Sequence, residues 1–146
     1  MKTRSHWIKI LLYLWVAPIT FWWLPLALLA KWTGGGFALH SGVLEIWGGK
    51  VGAKLDAGIP FLGAVNALTL GHIVVGISPV HLLRSRVHER THVAQFERWG
   101  LLFPLVYAWA GWRAYRRGKD MYWDNPYEIE ARKAAQLAVQ QFILPE

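Results

Sequence analysis

The sequence predicts an α+β domain led by one apolar helical segment, on three observations. Residues 10–30 (ILLYLWVAPITFWWLPLALLA) carry no charge. Residues 37–47 and 65–77 combine β-branched and aromatic side chains with glycine breaks, the pattern of short strands in a small sheet. From Ser78 onward the chain reads as helices with clear starts and stops. At 146 residues it has room for one compact domain, and it shows no internal repeat.

Composition narrows the class. Hydrophobic residues make up 54% and charged residues 17%, too apolar for a disordered tail or a solvated linker. There is no cysteine, which excludes disulfides, thiolate metal sites and a cysteine nucleophile. Sixteen Lys+Arg against nine Asp+Glu give a net charge of +7, which suits anionic lipid headgroups or nucleic acid. The hydrophobicity and ten tryptophans favour lipid, because an indole has an apolar body and one donor and so fits a membrane boundary. No nucleic-acid partner is expected.

As a helix, residues 10–30 reach about 30 Å, one hydrocarbon thickness. Lys2, Arg4 and Lys9 flank the segment on one side and Lys31 on the other, with Trp7 and Trp32 near its ends. Trp15, Trp22 and Trp23 fall between them and suggest contact with other protein. Pro18 and Pro25 each remove a backbone donor, so a membrane helix and a re-entrant segment are both expected forms. The run is too long and too rich in tryptophan for a cleaved signal peptide, and no A-x-A site follows it. Residues 1–32 are therefore read as a membrane anchor. Its orientation stays open. The N-terminus is basic, and so is the rest of the chain, with ten Lys+Arg from Arg84 to Lys133 that would prefer the same side.

In the glycine-rich stretch that follows, Gly48-Gly49 and Gly58-Ile59-Pro60 read as turns. Residues 57–83 carry no formal charge with neutral histidines, but Asn66, Thr69, Ser78 and the Gly and Pro content make a poor span; strands fit better. Ser78-Pro79 is a helix start, with Ser as cap and Pro at the first position, and that helix should run to Trp99 and stop at Gly100. Residues 101–112 (LLFPLVYAWAGW) are too few to span and suit a core or an interfacial helix. Trp109, Trp112, Arg113, Arg116, Arg117 and Lys119 favour an interfacial helix near residues 101–117, with phospholipid as the phosphate those cations meet.

The chemistry lies in His88-Glu89-Arg90-Thr91-His92. Residues four apart share one helical face about 6 Å apart, so two imidazoles can converge on one ion. Glu89 lies beside the pair and can reach a metal-bound water without being a ligand. A chain of this composition would contain HExxH by chance about once in a hundred shuffles, so a third ligand is needed. Asn125-Pro126-Tyr127-Glu128 offers one. Asn can cap, Pro can take the first position and Glu the third, close to a capping box. Glu128 also heads a stripe with Ala131, Ala135, Ala138 and Phe142, a small apolar face expected to pack inward, whereas Glu130 falls on the solvent side. A buried carboxylate is costly unless paired or bound to a cation.

HERTH followed by DNPYEIEA resembles the HExxH…NPxExxA pattern of gluzincin-type zinc metallopeptidases. It is most similar to their minimal single-domain forms, the minigluzincins, and more distantly to membrane peptidases of the HtpX type. The resemblance covers residues 65–135, about half of the chain. It implies a minimal zincin domain over residues 33–146: a small sheet, an active-site helix and a C-terminal ligand helix. It also implies Zn2+ on His88, His92 and Glu128, with Glu89 as general base, a peptide or protein substrate, and the bacterial inner membrane as location. One departure stands out. HtpX-type relatives carry Asp four residues after the ligand Glu, where this chain has Arg132, positioned to pair with Glu128 at i,i+4. Asp120, Asp124 and Asn125 are then the candidates to orient the histidines.

Among the remaining residues, His81 shares the His88/His92 stripe but lies about 10 Å from His88 by helical rise, so it should be a satisfied, partly buried histidine. His72 can line a substrate groove or end a hairpin, and His40 and His6 are expected at the surface or interface. Tyr107, Tyr115, Tyr122 and Tyr127 are candidate oxyanion donors. The functional expectation is a membrane-anchored zinc peptidase working through activated water, with an edge strand within residues 65–77 to hold the substrate. The alternative is a non-enzymatic membrane protein whose zinc only joins two helices. That needs a closed site, with His72 or an Asp of the 120–124 loop as fourth ligand.

Overall fold

A computed structural model describes residues 6–60 and 63–143. Lys2 and Arg4, expected to flank the apolar segment, lie outside the described residues, as does the side chain of His6. Helices α1 (His6–Trp23) and α2 (Pro25–Trp32) follow one another directly. Leu24 between them keeps helical dihedrals (φ −52°, ψ −37°), so Pro18 and Pro25 do not turn the chain back into a re-entrant hairpin. The result is one 26-residue helix, Trp7–Trp32, with a mean hydropathy of 1.7, long and apolar enough to cross a membrane. Trp15 contacts protein as expected, packing on Gly100, where a Cβ would come within 2.3 Å of its indole. Trp22 does not; it is 78% exposed.

The two strand-like segments are hairpins of one mixed four-stranded sheet. Strands β1 (Gly36–His40) and β2 (Val43–Trp47) pair antiparallel, as do β3 (Ala67–Leu70) and β4 (Ile73–Gly76). In the first hairpin Ser41 and Gly42 both have positive φ, the geometry a tight two-residue turn requires. The order is β1-β2-β4-β3, with β2 parallel to β4, so β3 is a terminal strand. Helix α3 (Gly49–Ala57) lies in the connection between β2 and the second hairpin. The turn expected at Gly48-Gly49 leads from β2 into it, both glycines having positive φ (71° and 56°). Within the helix Gly52 faces the backbone of Ile77, where a Cβ would sit 2.6 Å from the carbonyl oxygen, so this glycine allows a close approach.

Helix α4 (Pro79–Trp99) starts and stops where the sequence places it. The Ser78 hydroxyl accepts from the His81 N–H, and Gly100 takes φ +56°. A 3-10 turn, Gly100–Leu102, leads into α5 (Phe103–Arg116), and α6 (Pro126–Ile143) closes the described chain. One core, built on Ala30, Ile46, Val51, Leu55 and Ile73, joins the sheet to α2 and α3. A second joins Val16 of α1 to Phe96 of α4 and Phe103 of α5. Glu45 of β2, buried, is held bidentate by Arg86 of α4 at 2.9 Å through both oxygens, which fixes the helix against the sheet. The inward stripe of α6 holds at its start and fades: Ala131 is fully buried, but Phe142 is 90% exposed.

Candidate metal centre

Helices α4 and α6 pack together and bring His88, His92 and Glu128 to one point. The His88 and His92 Nε2 atoms are 3.1 Å apart. Glu128 Oε2 is 3.3 Å from His88 Nε2, and Oε1 is 3.2 Å from His92 Nε2. Four ligands at about 2.0–2.1 Å around zinc are separated by tetrahedral edges of about 3.3 Å. The two imidazole nitrogens and the nearer carboxylate oxygen facing each of them are spaced like edges of that tetrahedron, and with one ligand atom from each residue the three lie within 4.8 Å of one another. Glu128 Oε2 is buried with no hydrogen-bond partner, an acceptor that a cation would satisfy. These three residues form a group that can hold a metal ion.

The orientation of His92 is fixed by Gln95, a residue the sequence reading did not single out. Gln95 is fully buried, and its amide nitrogen donates to the Tyr127 carbonyl and to Glu130 Oε2, both at 3.0 Å. Its carbonyl oxygen therefore faces His92 Nδ1, at 2.8 Å. A carbonyl only accepts, so Nδ1 carries the proton and Nε2 presents its lone pair to the centre. Asp120, Asp124 and Asn125 do not take this role. Asp120 accepts from the Tyr122 and Trp123 N–H groups, Asp124 accepts from the Asp120 N–H, and Asn125 caps α6 and donates to the Tyr107 carbonyl. Nor does Glu130 face only solvent; it binds Gln95 and Arg98 at the α4/α6 seam. The signal for Gln95 was its place three residues after His92 on a buried face. Replacing Gln95 by Met should weaken metal binding about 10- to 100-fold, measured by competition with a chromophoric chelator; unchanged affinity would mean that the bond does not orient His92.

Glu89 is buried next to the ligands, and the Thr69 hydroxyl of β3 donates to its Oε2 at 2.7 Å. Burial pushes the Glu89 carboxyl up from its ordinary range, against the pull of His92, Thr69 and His88. For Glu128 burial also acts upward, but contacts with His88 and His92 outweigh it and hold the carboxyl well below its usual range. For His92 burial acts downward, and Glu128 more than reverses it. Arg132 sits 3.8 Å from Glu128, as its spacing suggests, with its guanidinium over the Trp123 ring and bonded to the Trp123 carbonyl.

A cavity of about 270 Å³ opens at the centre, with His88, Glu89, His92 and Glu128 in its wall and β3, Phe96, Phe103 and Pro104 around it. Of the four candidate phenols, Tyr107 and Tyr122 reach this cavity. Tyr107 is committed, donating to Glu128 Oε1 at 2.8 Å. The Tyr122 phenol is pushed up to about 12 by burial and by Glu128. Tyr115 is exposed on α5, and Tyr127 packs edge-on against Phe103.

The other histidines lie elsewhere. His81 bonds Ser78 Oγ at 2.8 Å, a partly buried histidine with a partner, as expected. His72 is buried at the β3–β4 turn, 3.3 Å from Glu97 and stacked on Tyr13 at 4.1 Å, so it ends a hairpin and lines no groove at the centre. Neither it nor Asp120 or Asp124 joins the His88/His92/Glu128 group as a fourth ligand. Fold and centre together define an α+β domain with a three-residue candidate metal site beside a cavity. Comparison with protein-family models, with curated proteins and with solved structures finds no match for this chain.

Proposed function

We propose that this chain is a zinc-dependent peptidase of the gluzincin type, held at a membrane by its N-terminal helix. The observation that carries the reading is the convergence of three zinc-type donors in the wall of a cavity, with a buried carboxylate beside them that is not one of the three. In this reading His88, His92 and Glu128 hold the zinc. Bound zinc supplies Lewis acidity, polarising a peptide carbonyl and making water acidic enough to lose a proton near neutral pH. Glu89 takes that proton as the water oxygen bonds to the carbonyl carbon. It returns the proton to the amine as the carbon–nitrogen bond breaks. Glu89 is buried beside the ligands, and the Thr69 hydroxyl keeps its carboxylate aimed. Tyr107 and Tyr122 are the phenols that reach the cavity where an oxyanion would develop, and both interact with Glu128. The edge strand β3, which lines the cavity, offers its free side to an extended peptide. A purely structural zinc is less well supported, because the expected fourth ligands are engaged elsewhere.

Metal removal tests the proposal. Detergent-purified protein should contain about one zinc per chain and cleave an internally quenched peptide mixture. Stripping with phenanthroline should abolish cleavage and added zinc should restore it. Cleavage that persists after the zinc has gone would defeat the reading.

A further inference from the structure

The long apolar helix does not stand clear of the domain. Tyr13 donates to the Gly42 carbonyl and stacks on His72. Val16 is fully buried against Phe96 and Phe103. The Thr20 hydroxyl accepts from the His72 N–H at 3.1 Å, Ala27 and Ala30 enter the sheet core, and the Thr33 hydroxyl accepts from the Lys50 N–H at 2.8 Å. The contacts on the helix recur on one stripe from Tyr13 to Ala30, about 25 Å of rise and most of the hydrocarbon thickness of a bilayer, and Thr33 adds one just past the helix end. A helix standing across the membrane would carry this flank of the domain into the acyl chains. That flank includes Arg90 and Glu97 near Tyr13, and exposed Lys50, Lys54 and Asp56 on α3 beside α2. Charges are strongly excluded from that region.

The opposite face of the helix is apolar and bare. Leu11, Leu14, Phe21, Trp22, Leu28 and Trp32 are exposed along it. Lys9 and Lys31 each lie one turn from the contact stripe, at Tyr13 and Ala27, and so off this face. Trp15 passes the surface on to Gly100, after which exposed Leu102, Leu105, Trp109 and Trp112 form a second apolar stripe along α5. Two guanidiniums cap that stripe: Arg113 lies 4.6 Å from the centre of the Trp109 ring and Arg116 5.5 Å from that of Trp112. Apolar stems, indoles and cations in this order match acyl chains, interface and anionic headgroups.

We propose that the Trp7–Trp32 helix lies along one leaflet, clamped between acyl chains and the domain, with α5 beside it and Arg113 and Arg116 on anionic headgroups. This arrangement also removes the conflict in charge. An in-plane helix leaves both of its ends, and all ten basic residues from Arg84 to Lys133, on one side of the membrane. The proposal stands independently of hydrolysis and of bound metal.

The absence of cysteine makes the test direct. Single cysteines replace exposed side chains at Leu11, Leu14, Phe21, Leu28 and, on α5, Leu105, each in the full chain. Each variant is nitroxide-labelled and reconstituted into phosphatidylcholine vesicles containing phosphatidylglycerol. Collision rates with oxygen and with a nickel chelate give the depth of each label. All five labels should lie at a common shallow depth of about 5–10 Å. A depth profile that reaches the bilayer centre at Phe21 and rises on either side, with Leu105 in water, would overturn the proposal in favour of a spanning helix. Labels shielded from both reagents would overturn it too, by placing protein, such as a second copy of the chain, on this face.

Discussion

Glu89→Gln should retain zinc and lose hydrolysis by about 10²- to 10⁴-fold, the usual worth of a positioned general base. Gln has nearly the same shape as Glu. The Thr69 hydroxyl, which donates to Glu89 Oε2 at 2.7 Å, can donate equally to the amide oxygen. The α4 backbone and the three ligands are untouched. A change of about 10³-fold in kcat/KM corresponds to about 4 kcal/mol of transition-state stabilisation, whereas the melting temperature should stay within the range of a surface substitution. The measurement pairs zinc content with steady-state cleavage on the same preparation. A variant that still cleaves at the wild-type rate with zinc in place would show that another group takes the proton. A variant that loses its zinc would instead move Glu89 into the ligand set, which the distances among His88, His92 and Glu128 do not require.

The parts of this molecule that were legible in the sequence are those governed by local chemistry. Ser78, Pro79 and Gly100 bound α4 because capping, the first-turn proline and a positive-φ stop depend on neighbouring residues alone. His88 and His92 share a face by helical spacing, and Glu128 was found because a carboxylate at the head of an alanine stripe demands a partner. Contacts across elements were harder to read. The role of Gly52 was not legible, because a close approach to the Ile77 backbone leaves no mark in the neighbouring sequence. Gln95 and Thr69 are ordinary residue types whose roles arise only once α6 and β3 are laid beside α4. The acidic candidates for orienting the histidines were chosen for sequence proximity to Glu128, and the loop uses Asp120 and Asp124 for its own backbone. The same limit applies to the N-terminal helix. Composition gives its length and hydropathy, but the stripe from Tyr13 to Ala30 that meets the domain consists of residues equally at home in lipid.

Glu128→Gln should empty the centre, taking zinc from about one per chain to below about a tenth, because the amide is a poor ligand for zinc and two imidazoles alone do not hold it. The variant is chosen over Ala for a physical reason. Tyr107 donates to Glu128 Oε1 at 2.8 Å, and the amide oxygen can keep that bond. Ala would instead strand a buried hydroxyl and the neighbouring Arg132, at about 1–3 kcal/mol for each unsatisfied group. Comparing the two separates the ligand role from the packing role. In wild type, zinc at about a thousand times its dissociation constant adds about 4 kcal/mol to folding, so chelation should lower the melting temperature sharply. In Glu128→Gln the melting curve should be the same with and without chelator and should lie below metal-free wild type, because the neutral amide loses the ion pairs with His88 and His92. In Glu128→Ala it should fall below both. Stoichiometric zinc retained in both variants would take the carboxylate out of the site. The α6 helix would then serve to pack on α4, through Gln95, Glu130 and the alanine face among other contacts, with no role in holding an ion.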